Sequence, residues 1–170
     1  LGLTIATTLA CNLGCVYCYE NPQQNIAPSE TLEDDIYDFV NSRLDASGYK
    51  SVSVTWYGGE PLLEKELIFS LSKRLIKLCR EKRVDYNAIV VTNGTLINKT
   101  VAEKLKRYMV RSLQITVDGP KEVHDKRRPF KTTGKSSFDK IIANIERIFG
   151  IIPISMRINV DKTNFSDVVS

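Results

Sequence analysis

Histidine is nearly missing from this sequence: His124 is the only one in 170 residues. It falls in a basic stretch and reads as a loop residue or helix-start partner rather than an acid–base catalyst. No apolar run approaches the ~20 residues needed to cross a bilayer, and no charged-then-apolar signal segment opens the chain. The expectation is a cytoplasmic protein with no membrane partner. The charge excess is only +4, which leaves composition with no argument for nucleic acid or an anionic surface. Cysteine is scarce as well. Four residues in an unexported chain read as metal-binding or catalytic groups, not a disulfide framework. What remains is 42% hydrophobic and 26% charged, the profile of one soluble globular domain with a real core.

Three of the four cysteines, Cys11, Cys15 and Cys18, lie in one CxxxCxxC loop directly after an apolar, threonine-rich run. Gly14 lets the backbone turn, so the thiolates can converge, and thiolates are the usual ligands of zinc and of iron–sulfur clusters. A closed site wants four protein ligands. No fourth Cys or His lies nearby in the chain. Two alternatives stand against a cluster with one open iron: zinc completed by distant His124, and three buried thiols. A polar loop with Asn12 and Gly14 is a poor place for buried thiols, and a Cys₃His site pairs its ligands at shorter spacing. Cys79 differs, because it sits on the apolar stripe of a helix between Leu75 and Leu78 and is expected in the core.

Along the chain, strands are expected at Leu3–Thr8, Ser51–Tyr57, Asn87–Thr92, Ser112–Val117 and Ile152–Val160. After the cysteines, Tyr19 to Pro28 reads as a loop. Helical spacing places a first helix from Ser29-Glu30-Thr31-Leu32 through Ile36, Val40 and Leu44 to Gly48, and a second over Glu64–Lys82. A third is capped by Asn98 and runs through Tyr108, a fourth carries Phe138 to Phe149, and a fifth begins at Phe165–Val169. A basic, glycine-containing connection precedes the fourth helix. This alternation implies parallel strands with right-handed crossovers, either a doubly wound sheet or part of a βα barrel. In both, ligands sit at the carboxyl ends of the strands. The unusual turns all fall there: the cysteines, Gly58-Gly59-Glu60-Pro61, Thr92-Asn93-Gly94 and Asp118-Gly119-Pro120.

Each turn also has a plain reading as a turn former. Beside a cluster, Gly58 and Gly59 would let backbone carbonyls approach an amine, with Glu60 adding charge. Thr116 and Asp118, two apart on one strand, share a face. In the loop that follows, one of Arg127 and Arg128 can clamp a carboxylate, although a basic cluster is usually a solvated surface.

Assembled, these residues resemble the radical S-adenosylmethionine (SAM) superfamily. The signature is the cysteine spacing with aromatic Tyr17 before the last cysteine, and the likeness extends through Gly58-Gly59-Glu60-Pro61, Thr92-Asn93-Gly94-Thr95, Asp118-Gly119-Pro120, Arg128 and Arg157-Ile158-Asn159-Val160. The later segments are similar to the SPASM-type subgroup of peptide- and protein-modifying members, which includes anaerobic sulfatase maturases and thioether peptide maturases. The resemblance implies a partial (β/α)6 barrel, cut after the fifth strand, with residues 1–170 as a core fragment lacking the sixth βα unit and the cysteine-rich C-terminal extension. Leu1 in place of Met fits an excised piece. It implies a four-iron four-sulfur cluster on Cys11, Cys15 and Cys18, whose fourth iron chelates SAM. Tyr17 would lie by the adenine, Gly58, Gly59 and Glu60 would hold the methionyl amine, and Thr116 and Arg128 would reach its carboxylate or ribose. Asn93 and Asn159 are further candidates on the rim. The implied reaction is reductive cleavage of SAM to a 5′-deoxyadenosyl radical that takes a hydrogen from a peptide or protein side chain. It needs an external electron donor such as flavodoxin or ferredoxin, and no acid–base dyad in this segment. A small-metabolite substrate, or a non-catalytic electron-transfer or structural metal module, are the alternatives.

Overall fold

A computed structural model describes residues 1–20, 29 and 31–169. Five strands, β1 (Gly2–Ala6), β2 (Ser51–Tyr57), β3 (Asp85–Thr92), β4 (Val110–Thr116) and β5 (Ile154–Arg157), form one sheet in the order β1-β2-β3-β4-β5. Every neighbouring pair is parallel. Sequential order without a switch point decides between the two folds open from the sequence. A doubly wound sheet reverses its strand order, whereas a βα barrel adds each strand to the same edge. The sheet is an unclosed arc of such a barrel.

The helices are α1 (Leu32–Ala46), α2 (Lys65–Glu81), α3 (Lys99–Arg107), α4 (Lys121–Arg127), α5 (Ser137–Ile148) and α6 (Phe165–Val169), with a 3-10 turn over Pro61–Glu64. Strand alternation sends one residue in two into the core: Val52, Val54 and Trp56 from β2, then Tyr86, Ala88 and Val90 from β3. Helix α2 answers with Ile68, Leu71, Leu75, Leu78 and Cys79, spaced at three and four residues. Cys79 is therefore a core residue, as its position on that stripe suggests. Each large aliphatic side chain buried there contributes roughly 1.5–3 kcal/mol. Asn98 caps α3 by accepting from the Val101 backbone N–H at 3.0 Å, and Ser136 caps α5 through Asp139.

Strands β3 and β4 each begin two residues before the expected start, at Asp85 and Val110, and β4 ends one early, at Thr116; three other differences bear on the site. The first strand ends at Ala6, two residues early, although Thr7 N still donates to the Tyr57 carbonyl at 3.0 Å. The fifth is four residues long instead of nine, because Pro153 has no N–H to offer and beyond Arg157 the Asn159 N–H turns to the Asp118 carboxylate. The third difference is α4, which occupies a stretch read as a basic loop. His124 and Arg127, three apart on one face, are buried there, His124 against the Asp118 N–H and Ser137 and Arg127 against Asp118 and Asp161. The expected loop at 21–28 and the Glu30 part of the first helix start lie outside the described residues.

Candidate functional site

The cysteine loop is zipped antiparallel onto the chain that leaves α4. Gly14 N donates to the Pro129 carbonyl at 2.8 Å, Val16 N to Arg127 O at 2.9 Å and Lys131 N to Asn12 O at 3.1 Å, while Leu13 is buried opposite Phe130. Cys11, Cys15 and Cys18 are unpaired thiols, the first two half-buried and the third exposed. Burial pushes the Cys15 thiol up to about 11 against the pull of Arg128, and raises Cys11 as well. Any metal bound here displaces those protons.

The turn after β2 lies against the residues that lead into the cysteine loop. Gly59 N donates to the Thr8 carbonyl at 2.9 Å and Glu60 N to Ala10 O at 2.9 Å. Side chains do not fit: a Cβ on Gly58 or Gly59 would sit inside van der Waals contact of the Thr8 or Ala10 carbonyl oxygens, and Gly58 has φ +133°. The Gly58 and Gly59 carbonyls accept no hydrogen bond from any of the described residues. Glu60 is fully buried behind this turn. Its carboxylate accepts from the Thr92 hydroxyl at 2.7 Å, the Leu62 N–H at 3.0 Å and the Asn93 N–H at 2.7 Å. Burial raises its pKa, and those donors pull it back. The charge thus braces the β2 turn against the β3 turn from beneath.

On the β4–β5 side the parts are ionic. Asp118, wholly buried, accepts from the Tyr17 hydroxyl at 2.5 Å and the Asn159 N–H at 2.9 Å. The Tyr17 oxygen also accepts from Arg128 at 2.5 Å and from the Asn159 carboxamide at 3.0 Å, which fills its hydrogen-bonding capacity. Burial pushes Tyr17 up to about 12. Arg127 lies over the Tyr17 ring, 4.9 Å from its centre, and donates to Asp161 at 2.9 and 3.2 Å. That bond holds the Asp161 carboxyl far below its ordinary range.

Ten of the eleven predicted site residues open on a single cavity of about 340 Å³: Cys11, Cys15 and Cys18 with Tyr17, Gly58, Gly59, Asn93, Thr116, Arg128 and Asn159. Glu60 stands behind its wall. Tyr19, Tyr57 and Arg157 complete the mouth, with the Tyr19 and Tyr57 hydroxyls 2.5 Å apart. His124 is elsewhere. Its Nδ1 accepts from the Asp118 N–H at 3.2 Å, and Nε2 faces Ser137, whose hydroxyl already donates to the Arg128 carbonyl. Nε2 must therefore carry the proton. Burial, then Arg128, lowers the His124 pKa to about 4. A neutral ring with both nitrogens engaged has no donor left for zinc. Among the described residues no three His, Cys, Asp or Glu side chains are gathered tightly enough to hold one ion. A cubane asks for a different arrangement, thiolates spread over separate irons, and three free thiols on one cavity fit it.

A family model described as the radical SAM superfamily matches residues 5–169. The chain belongs to the radical SAM superfamily. Its cofactors are accordingly a four-iron four-sulfur cluster and SAM. Among curated relatives, it is 31% identical over 141 residues to the serine-type anaerobic sulfatase-maturating enzyme of Bacteroides thetaiotaomicron, covering 79% of this chain and 33% of that one. It is 28% identical over 162 residues to Fe-coproporphyrin III synthase of Methanosarcina barkeri, covering 95% and 37%. The solved structure of native anSMEcpe with bound AdoMet and the Cp18Cys peptide matches with a TM-score of 0.77 at 25% identity, over 99% of this chain and 46% of that one. The chain thus spans less than half the length of these radical SAM proteins. Among the described residues no helix is long and apolar enough to cross a membrane.

Sequence reasoning missed how the β3 turn is held. Asn144 on α5 donates to both the Gly94 and Thr95 carbonyls at 2.9 Å, and Asn12, Asn93 and Thr95 are joined by their side chains. An asparagine at helical spacing between Ile141 and Ile148 on the face α5 buries was the available signal.

Proposed function

We propose that this chain is the core of a radical SAM enzyme acting on a peptide or protein side chain, a modification of the maturase kind. The observation that carries it is the meeting, in one cavity, of three unpaired cysteines, a side-chain-free glycine rim and the Thr116–Arg128 pair. Cys11, Cys15 and Cys18 hold three corners of the cluster and leave the fourth for SAM. The Gly58 and Gly59 carbonyls face the methionyl ammonium, with the buried Glu60 charge behind them. Thr116 and Arg128 take the carboxylate or ribose, and the Tyr17 backbone lies by the adenine. When bound, the cofactors supply one-electron cleavage of a carbon–sulfur bond and the means to take a hydrogen atom from substrate.

The peptide assignment draws on the sulfatase-maturating relative and on the peptide-bound anSMEcpe structure. A small-metabolite substrate is the second reading, favoured by the coproporphyrin synthase relative. The electron donor is a flavodoxin or ferredoxin, and the compartment is the reducing cytoplasm, which keeps thiols free.

Anaerobic reconstitution with iron and sulfide, reduction and addition of SAM test the core. The EPR signal of the reduced cluster should change with SAM, and a deuterated cysteine-containing sulfatase peptide should pass deuterium to 5′-deoxyadenosine. An EPR signal indifferent to SAM sinks the enzyme reading. Deuterium acquired only from small metabolites sinks the peptide one.

A further inference from the structure

The Asn93 carboxamide sits in a closed ring of side chains. Asn12 Nδ2 donates to the Thr95 hydroxyl at 2.8 Å, that hydroxyl donates to Asn93 Oδ1 at 2.6 Å, and Asn93 Nδ2 donates back to Asn12 Oδ1 at 2.8 Å. The Thr95 backbone N–H adds a second bond to Asn93 Oδ1 at 2.9 Å. Turning either amide over would set N–H against N–H, so the ring has one sense. From beneath, Glu60 holds the Asn93 backbone N–H and Asn144 holds the turn. Asn93 is 5% exposed. A carboxamide has two lone pairs and two N–H bonds. Both lone pairs and one N–H are used by the ring and the Thr95 backbone. The remaining N–H points at the Cys11 sulfur, 3.8 Å from the nitrogen.

We propose that Asn93 is a positioning residue of the iron–sulfur site, donating a hydrogen bond to the Cys11 sulfur that raises the reduction potential of the cluster. This rests on the cluster assignment above. Hydrogen bonds to cluster sulfurs are among the groups that set such potentials, because a donor favours the more negative, reduced state. With all four hydrogen-bonding positions committed, Asn93 shapes the cavity wall without reaching for the nucleotide. The Cys11 sulfur is held in place by the same ring, since Asn12 follows it in the chain.

The test compares the reconstituted holoprotein with its Asn93→Asp and Asn93→Ala variants in EPR-monitored redox titrations without SAM. The aspartate keeps the acceptor for Thr95 and loses the N–H, and the alanine loses both. Both variants should retain their iron, while the ratio of reduced to oxidised cluster at a fixed poise falls about tenfold, ~59 mV for a one-electron couple. A parent-like potential in both iron-loaded variants overturns the inference. If neither variant holds iron, parent protein labelled with ¹⁵N-asparagine decides: pulsed EPR should show a ¹⁵N coupling to the reduced cluster, and no coupling overturns it. A parent that assembles no cluster sinks the cofactor assignment too. A cluster that responds to SAM beside unshifted variants sinks the role of Asn93 alone.

Discussion

On the β2–β3 side of the cavity, backbone packs on backbone with no room for a Cβ at Gly58 or Gly59. On the β4–β5 side, the charged and polar side chains of Asp118, Arg127, Arg128, Tyr17 and Asn159 share one network. The two flanks should fail differently. A steric wall made of carbonyl oxygens has no alternative arrangement, whereas a network of several donors on one tyrosine can redistribute when a member changes.

The sharpest break in that comparison is Gly59→Ala. Its Cβ would lie 2.6 Å from the Leu9 carbonyl oxygen and closer still to that of Ala10. The expected cost is about 4 kcal/mol, with the cysteine loop displaced. Denaturant unfolding and iron content after reconstitution measure it, and a parent-like value for both would show that the flank yields.

The next effect belongs to His124, which pins the Asp118 N–H on the ionic side. Its folded pKa of about 4 lies below the ordinary 6.5, because of burial first and Arg128 second, opposed by Asp118 and Asp125. The unfolded chain binds this proton more readily, so stability is present above pH 6.5 and is lost as pH falls towards 4. The loss is about 3 kcal/mol at most. In a His124→Gln variant the gap to the parent should therefore narrow between pH 6.5 and 4, and a gap that stays constant refutes the neutral ring.

Asp118→Asn should have the smallest effect. The Tyr17 oxygen already accepts from Arg128 and Asn159, so the new amide presents a third donor where an acceptor was needed. The network can shift, and about 2 kcal/mol is expected in chemical denaturation. A loss as large as that of Gly59→Ala would mean that the ionic flank is no more adaptable than the glycine one.

Much of the fold was legible because it rests on periodicity. Alternation in SVSVTWY and the three-and-four spacing of α2 state strand and helix directly. The cysteine spacing and the glycine pair were legible because few other residues can do their work. The helix α4 was not: KEVHDKR looks solvated until His124 and Arg127 meet Asp118, Ser137 and Asp161. Nor was the direction of the Glu60 carboxylate, since GGE is the same string whether its charge faces the cavity or, as here, the Thr92 hydroxyl and the Asn93 N–H.

By itself, then, the order of residues determined which segments are strands and helices, α4 apart, and that their informative turns gather at one edge of one sheet. Those are consequences of local spacing and of parallel connection. Only the tertiary structure decided between barrel arc and doubly wound sheet, which way Glu60 and Asn93 point, and which arginine donates to the Tyr17 hydroxyl and which to Asp161. Each of those depends on which distant group is near enough to satisfy a buried donor or acceptor. Spacing along the chain carries no record of that proximity.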